Sequence, residues 1–138
     1  MMDFDSFIKD IKDNNWNVFG VELYKKGELI NIWGDTSGLH EIYSATKGVV
    51  SIAVGIAYDE GRIDFDKSIL EYLPKDRVNS LSEKQHERFE KISVRRLLTM
   101  SVKGFPFRPE GEDWIDFSLS ADINPDEIGF NYSNIPVY

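Results

Sequence analysis

The chain has 138 residues, 41% of them hydrophobic and 13% aromatic, enough to bury a core and to read as one soluble globular unit rather than a disordered or membrane sequence. A formal net charge of -8, without a concentrated Lys/Arg patch, argues against nucleic-acid binding, which depends on neutralising phosphates. The absence of cysteine excludes disulfides, thiolate catalysis and cysteine-ligated metals. With His40 and His86 the only histidines, a metal pair or a Ser-His-Asp triad is disfavoured, and lysine, tyrosine or a carboxylate is left as a base.

The chain opens on Met1-Met2-Asp3-Phe4 and an acidic segment, with no basic n-region and apolar h-region. No secretory signal is read, so the cytoplasm is the default expectation, or an extracytoplasmic site had a leader been trimmed. Phe4, Phe7, Ile8 and Ile11 have the 3/4 spacing of a short amphipathic helix that stops at Asp13-Asn14-Asn15. Val18, Val21, Leu23 and Tyr24 precede Lys25-Lys26-Gly27-Glu28, and Leu29, Ile30, Ile32 and Trp33 follow, which predicts a β-hairpin over about 17–34 turning at Gly27. Gly34 to His40 reads as a loop.

A helix over about 44–60 comes next. Its run Val49-Val50-Ser51-Ile52-Ala53-Val54-Gly55-Ile56-Ala57 is apolar on nearly all sides, which predicts burial in the middle of a domain, and Gly61 is placed to end it in the left-handed conformation. Asp64 to Pro74 reads as a loop with one short helix stopped by the proline, and Ser82–Lys91 as a solvated helix face carrying His86. Ser93 caps a short helix with Leu97 and Leu98 inward. From Val102 to Asn131 no periodicity is visible, and so long a loop is usually functional. Phe105, Phe107, Trp114 and Phe117 are its candidates either for lining a site or for anchoring it to the core.

Two short patterns carry chemistry. Ser44-Ala45-Thr46-Lys47 places a serine and a lysine one turn apart on one face at a helix start, where unpaired N–H groups and the macrodipole favour developing negative charge. The tetrad alone is read more readily as a helix cap and a solvated lysine, and Ser6-Phe7-Ile8-Lys9 repeats it in a polar segment where no role is assigned. The second pattern, Tyr132-Ser133-Asn134, supplies a phenol for proton transfer and a carboxamide able to hold a lysine or a substrate amide.

Taken in order, Ser44-x-x-Lys47, Ile63-Asp64-Phe65-Asp66 leading to Tyr72-Leu73-Pro74, Ile92-Ser93-Val94-Arg95-Arg96-Leu97-Leu98-Thr99 and Tyr132-x-Asn134 form a set. The set resembles the serine β-lactamase and penicillin-binding-protein superfamily, in its class C β-lactamase, D,D-peptidase and esterase-like branch. The resemblance implies an α+β fold, here its N-terminal hairpin and mainly helical region as a single partial domain over 1–138. It implies acyl-enzyme chemistry on a β-lactam, a D-Ala-D-Ala-type amide or an ester, with no cofactor and no metal. By that match Ser44 is the nucleophile, Lys47 its activating partner, Tyr132 the proton shuttle and Asn134 the substrate-orienting amide, so Lys47 and Tyr132 are expected to approach the Ser44 hydroxyl.

The departures are also informative. The family's third motif, Lys-Thr-Gly or His-x-Gly on a later sheet strand, supplies a second oxyanion donor, and no counterpart stands before Pro136-Val137-Tyr138. The family's His-Thr-Ser-Gly turn reads Met100-Ser101-Val102-Lys103-Gly104 here. The expectation is therefore a poorly active or inactive chain, lacking the C-terminal sheet strands, with a hairpin edge beside Val18, Val21, Leu29 and Ile32 that invites self-association or a complementing segment. The alternative expectation is a non-catalytic penicillin-recognising or protein-interaction fragment.

Overall fold

The computed structural model of the protein describes residues 3–137. The chain forms two compact units, with the boundary between Ile42 and Tyr43. In the first, helix α1 (Phe4–Asp13) buries Ile8 and Ile11 and ends at Asn14, whose N–H returns to the carbonyl of Asp10. Strands β1 (Gly20–Lys25) and β2 (Glu28–Gly34) pair antiparallel, with Lys25 opposite Glu28. Lys26 and Gly27 between them have φ of 53° and 85°. Two consecutive left-handed residues make a type I′ turn, whose twist matches that of the strands it joins. The register slips once, between Leu23 and Tyr24.

The second unit begins with a 3₁₀ turn at Tyr43–Ala45 that runs into α2 (Thr46–Asp59). Then come a 3₁₀ turn at Ile69–Glu71, α3 (Lys75–Asn79), α4 (Glu83–Glu90) and α5 (Val94–Leu98). Strand β3 (Val102–Lys103), α6 (Trp114–Leu119), β4 (Asn124–Ile128) and a last 3₁₀ turn at Ile135–Val137 complete it. The fold is α+β, with six helices and two small antiparallel sheets among the described residues.

Short side chains at the helix starts decide where these elements begin. Ser82 opens α4 in a reciprocal capping box with Gln85, and Ser93 and Asp113 accept from the third N–H of α5 and α6. Each cap satisfies an N–H that the helix itself leaves unpaired, and is worth about 1 kcal/mol. The core joins Ile69, Phe89, Ile92, Val102, Phe105, Leu119, Ile123 and Ile135. Arg96 on α5 reaches across to the carbonyls of Pro125 at 2.6 Å and Ser101 at 2.9 Å, tying β4 and the turn before β3 to one helix.

Two expectations are corrected. The segment 102–131 is not an irregular loop, because β3 and β4 pair across it and α6 lies between them. These elements are too short for a period to register in sequence, and Asp113 with Asp116 is the local cap signal that announces α6. Nor is α2 buried. None of its residues is, and Val49, Ile52 and Ile56 are 60%, 66% and 55% exposed. An all-apolar helix is read as buried because water disfavours such a face, but the core of this unit is assembled wholly from segments after α2. The anchor of α2 is instead aromatic: Tyr58 stacks on Phe65 at 4.3 Å, and Arg95 lies over Phe65 while forking onto Asp66.

Gly104 sits between β3 and the buried Phe105 with φ of 100°, where an added Cβ would meet the carbonyl oxygen of Asp122 at 2.5 Å and the Cα of Ile123 at 2.7 Å. Gly104→Ala therefore combines a left-handed backbone with a clash against backbone atoms that have no room to yield. It is expected to destabilise the protein by at least about 1–3 kcal/mol, read as a lowered midpoint in thermal melting by circular dichroism. An unchanged midpoint would contradict this packing.

Candidate active site

Ser44 is the middle residue of the 3₁₀ turn ahead of α2, and Lys47 is the second residue of the helix proper. The helix starts two residues later than the sequence predicts. Ala45 takes the cap position, and no side chain caps α2. The hydroxyl of Ser44 is thus not used to begin the helix. Tyr43 just before it has φ of 42°, an unusual value for a residue with a side chain, which turns the chain sharply into the serine.

The second half of the cluster arrives on the segment after β4. Asn131 donates its backbone N–H to Met100 at 2.8 Å and its carboxamide to the carbonyl of Phe105 at 3.1 Å. Ser133 donates its hydroxyl to the carbonyl of Pro106 at 2.7 Å and accepts from the N–H of Ile135 at 3.1 Å. The N–H of Asn134 goes to the carbonyl of Phe107 at 2.8 Å. Residues 131–134 are therefore stitched alternately along 105–107, with Ser133 turned inward and completely buried. Its neighbours Tyr132 and Asn134 consequently face the other way, toward α2.

There the four side chains converge. The Ser44 Oγ lies 2.5 Å from the Tyr132 hydroxyl and 3.3 Å from Lys47 Nζ, which also donates to Asn134 Oδ1 at 2.6 Å. Lys47 Nζ is 5.0 Å from the centre of the Tyr132 ring. The hydrogen bond with Ser44, and then the one from Lys47, hold the Tyr132 phenol below its ordinary pKa of 10.0. Both favour the phenolate, one by donation to its oxygen and the other by positive charge as well. The arrangement is thus able to take a proton from a serine beside an ammonium that stabilises the oxyanion left behind.

A cavity of about 430 Å³ opens on Ser44, Lys47 and Asn134 and is walled by Tyr43, Phe107 and Val137. Of the four aromatics singled out in the irregular-looking segment, only Phe107 lines it, its ring 6.0 Å from that of Tyr132. Phe105 is in the core, Phe117 packs against it, and Trp114 begins α6 with its indole N–H on the carbonyl of Gly111. Ser6 is exposed on α1, and His86 is on α4 with Glu90 4.0 Å away. The residue that sequence reasoning passed over is Ser133. Nothing in a lone serine between polar neighbours signals complete burial, although its position inside Tyr-x-Asn was in view.

The sequence model of the family described as Beta-lactamase matches residues 23–135. No curated protein and no solved structure matches the chain.

Ser133→Ala removes one hydroxyl that pairs with two backbone groups, the carbonyl of Pro106 and the buried N–H of Ile135. Leaving buried polar groups unpaired costs about 1–3 kcal/mol, so the variant is expected to unfold at a lower urea midpoint with an unchanged slope. A wild-type midpoint would show that the stitching does not depend on this side chain.

Proposed function

The chain belongs to the β-lactamase family, and on that premise we propose that it is a serine hydrolase working through an acyl-enzyme on Ser44. The observation that carries the reading is the placement of one hydroxyl within reach of both a pKa-lowered phenol and a lysine. The finer assignment is to the class C β-lactamase, D,D-peptidase and esterase-like branch, with a β-lactam, a D-Ala-D-Ala-type amide or an ester as substrate. It is supported by the Ser44-x-x-Lys47 and Tyr132-x-Asn134 pairs standing in that branch's order.

In this mechanism the Tyr132 oxygen accepts the proton of Ser44 as Oγ bonds to the substrate's carbonyl carbon, and the carbonyl π pair moves onto oxygen. Lys47 stabilises first the phenolate and then the charge that develops beside Oγ, a role suited to a donor already in contact with that oxygen. Collapse of the tetrahedral intermediate re-forms the carbonyl and breaks the bond to the leaving group, which takes the proton from Tyr132. Water then repeats the sequence with Tyr132 as base, breaking the ester to Ser44 and returning the proton to Oγ. Asn134 fixes Lys47 through its Oδ1 and has its amide N–H groups left to face a substrate carbonyl.

The test is intact-mass spectrometry after incubation with benzylpenicillin and, separately, an activated ester. The wild-type chain is expected to gain one acyl adduct that maps to Ser44, and Ser44→Ala to gain none while keeping its circular dichroism spectrum, since the lost hydrogen bonds amount to about 1 kcal/mol. An adduct of undiminished yield on Ser44→Ala removes Ser44 as nucleophile. Ligand binding without a denaturation-stable adduct on the wild type favours the non-catalytic alternative.

A further inference from the structure

The segments 105–107 and 131–137, bonded along one another, form a wall with a cavity on each side. Phe107, Asn134 and Val137 face the cavity that opens on Ser44. Phe105, Ile135 and Pro136 face a second cavity, of about 140 Å³, on the side of the core. Phe89, Leu119, Phe105 and Ile135, all buried, make the body of this second cavity, and the half-buried Ile115 of α6 stands beside them. Ser118 at its edge has its hydroxyl turned away, donating to the carbonyl of Trp114 at 2.6 Å.

Protein interiors hold few voids larger than a water molecule. A cavity of roughly 150 Å³ lined by Leu, Ile and Phe side chains stays dry and takes up benzene or xenon, and the volume and lining here are of that kind. A neutral apolar molecule gains by leaving water for such walls and by the close contacts it makes with them, whereas a charged one loses its hydration to apolar surroundings. The cavity also depends on the wall. Phe105 and Ile135 stay close because Ser133 bonds to both Pro106 and Ile135 and the N–H of Asn134 is bonded to Phe107. Parting those bonds separates the two side chains and opens the cavity, so a molecule that fits it binds the closed wall in preference and stabilises it.

From this geometry we propose that the second cavity is a binding site for a small uncharged apolar molecule about the size of benzene, and that its occupant holds closed the wall that carries Tyr132 and Asn134. The proposal goes beyond the chemistry at Ser44 and does not rest on it, so a chain that forms no acyl adduct leaves it standing.

Benzene titrated into the full chain, with isoleucine and leucine methyl groups followed by NMR, tests both parts. Saturable shifts are expected at the methyls of Ile69, Leu119 and Ile135, which line the cavity, and none at the fully exposed Leu39. Benzoate, the same ring with a charge, is expected to bind at least about tenfold more weakly. Amide exchange at Asn134 and Ile135 is expected to slow as the methyl shifts saturate. Ile115→Phe, which sends a ring into the cavity, is expected to weaken benzene binding at least about tenfold. Xenon is expected to shift the same methyls of the wild type, which locates the site without any substitution. Shifts that do not saturate or that extend equally to Leu39, benzoate binding as tightly as benzene, or a folded Ile115→Phe variant with wild-type affinity overturns the binding site. Exchange at Asn134 and Ile135 unchanged at saturating benzene overturns the role given to the wall.

Discussion

The hydrogen bond from Lys47 to Asn134 joins two points 87 residues apart in sequence, and the proposed chemistry depends on it. A lysine side chain is long and loses much freedom when it is fixed. One acceptor at 2.6 Å therefore decides whether Nζ stays beside Ser44 or wanders into solvent. The same bond sets the distance between the start of α2 and the segment after β4, and so brings the Tyr132 hydroxyl to the serine. With that span closed, a weakly nucleophilic hydroxyl has a phenol on one side and an ammonium on the other. In the proposed mechanism, proton removal and charge stabilisation then fall to separate groups.

What keeps Asn134 in place is a frame beneath it rather than the cluster itself. Ser133, fully buried, is paired to Pro106, and the backbone on either side is bonded to Met100 and Phe107. Phe105 between them is a core residue, and Arg96 draws the turn at Ser101 and the strand before the motif onto α5. The packing of Phe89, Ile92 and Ile123 thus reaches the reacting atoms through a few backbone carbonyls. On the opposite wall the link is thinner. Helix α2 contributes no residue to that core, and its anchor is the Tyr58–Phe65 stack with Arg95 and Asp66 behind it.

The meeting of Ser44, Lys47, Tyr132 and Asn134 was legible because two short motifs stand in the order that the resemblance implies. Ser44 with Lys47 and Tyr132 with Asn134 each stand at a spacing that brings them to one face. The hairpin was legible for a similarly local reason, as Lys26-Gly27 is a pair that accepts the two left-handed conformations of a tight turn. Burial was not. The composition of α2 is that of an interior helix, yet Ile52 is two-thirds exposed, because burial depends on which other segments come to lie against a residue. Ser133 fails in the opposite sense, a polar residue wholly enclosed because two backbone groups need its hydroxyl. Strands β3 and β4, two and five residues long, pair across an intervening helix, and no local period records such a partner.

The proposed mechanism rests most directly on Tyr132 deprotonating Ser44, and the pH dependence of phosphonylation by a neutral fluorophosphonate tests that. Because Ser44 and Lys47 hold the phenol below 10.0, the rate in the wild type should climb with pH along a limb centred below that value, as phenolate replaces phenol, and then level off. Tyr132→Phe should lose the limb and most of the rate. A Tyr132→Phe variant that reacts at the wild-type rate with the wild-type pH profile would contradict the account.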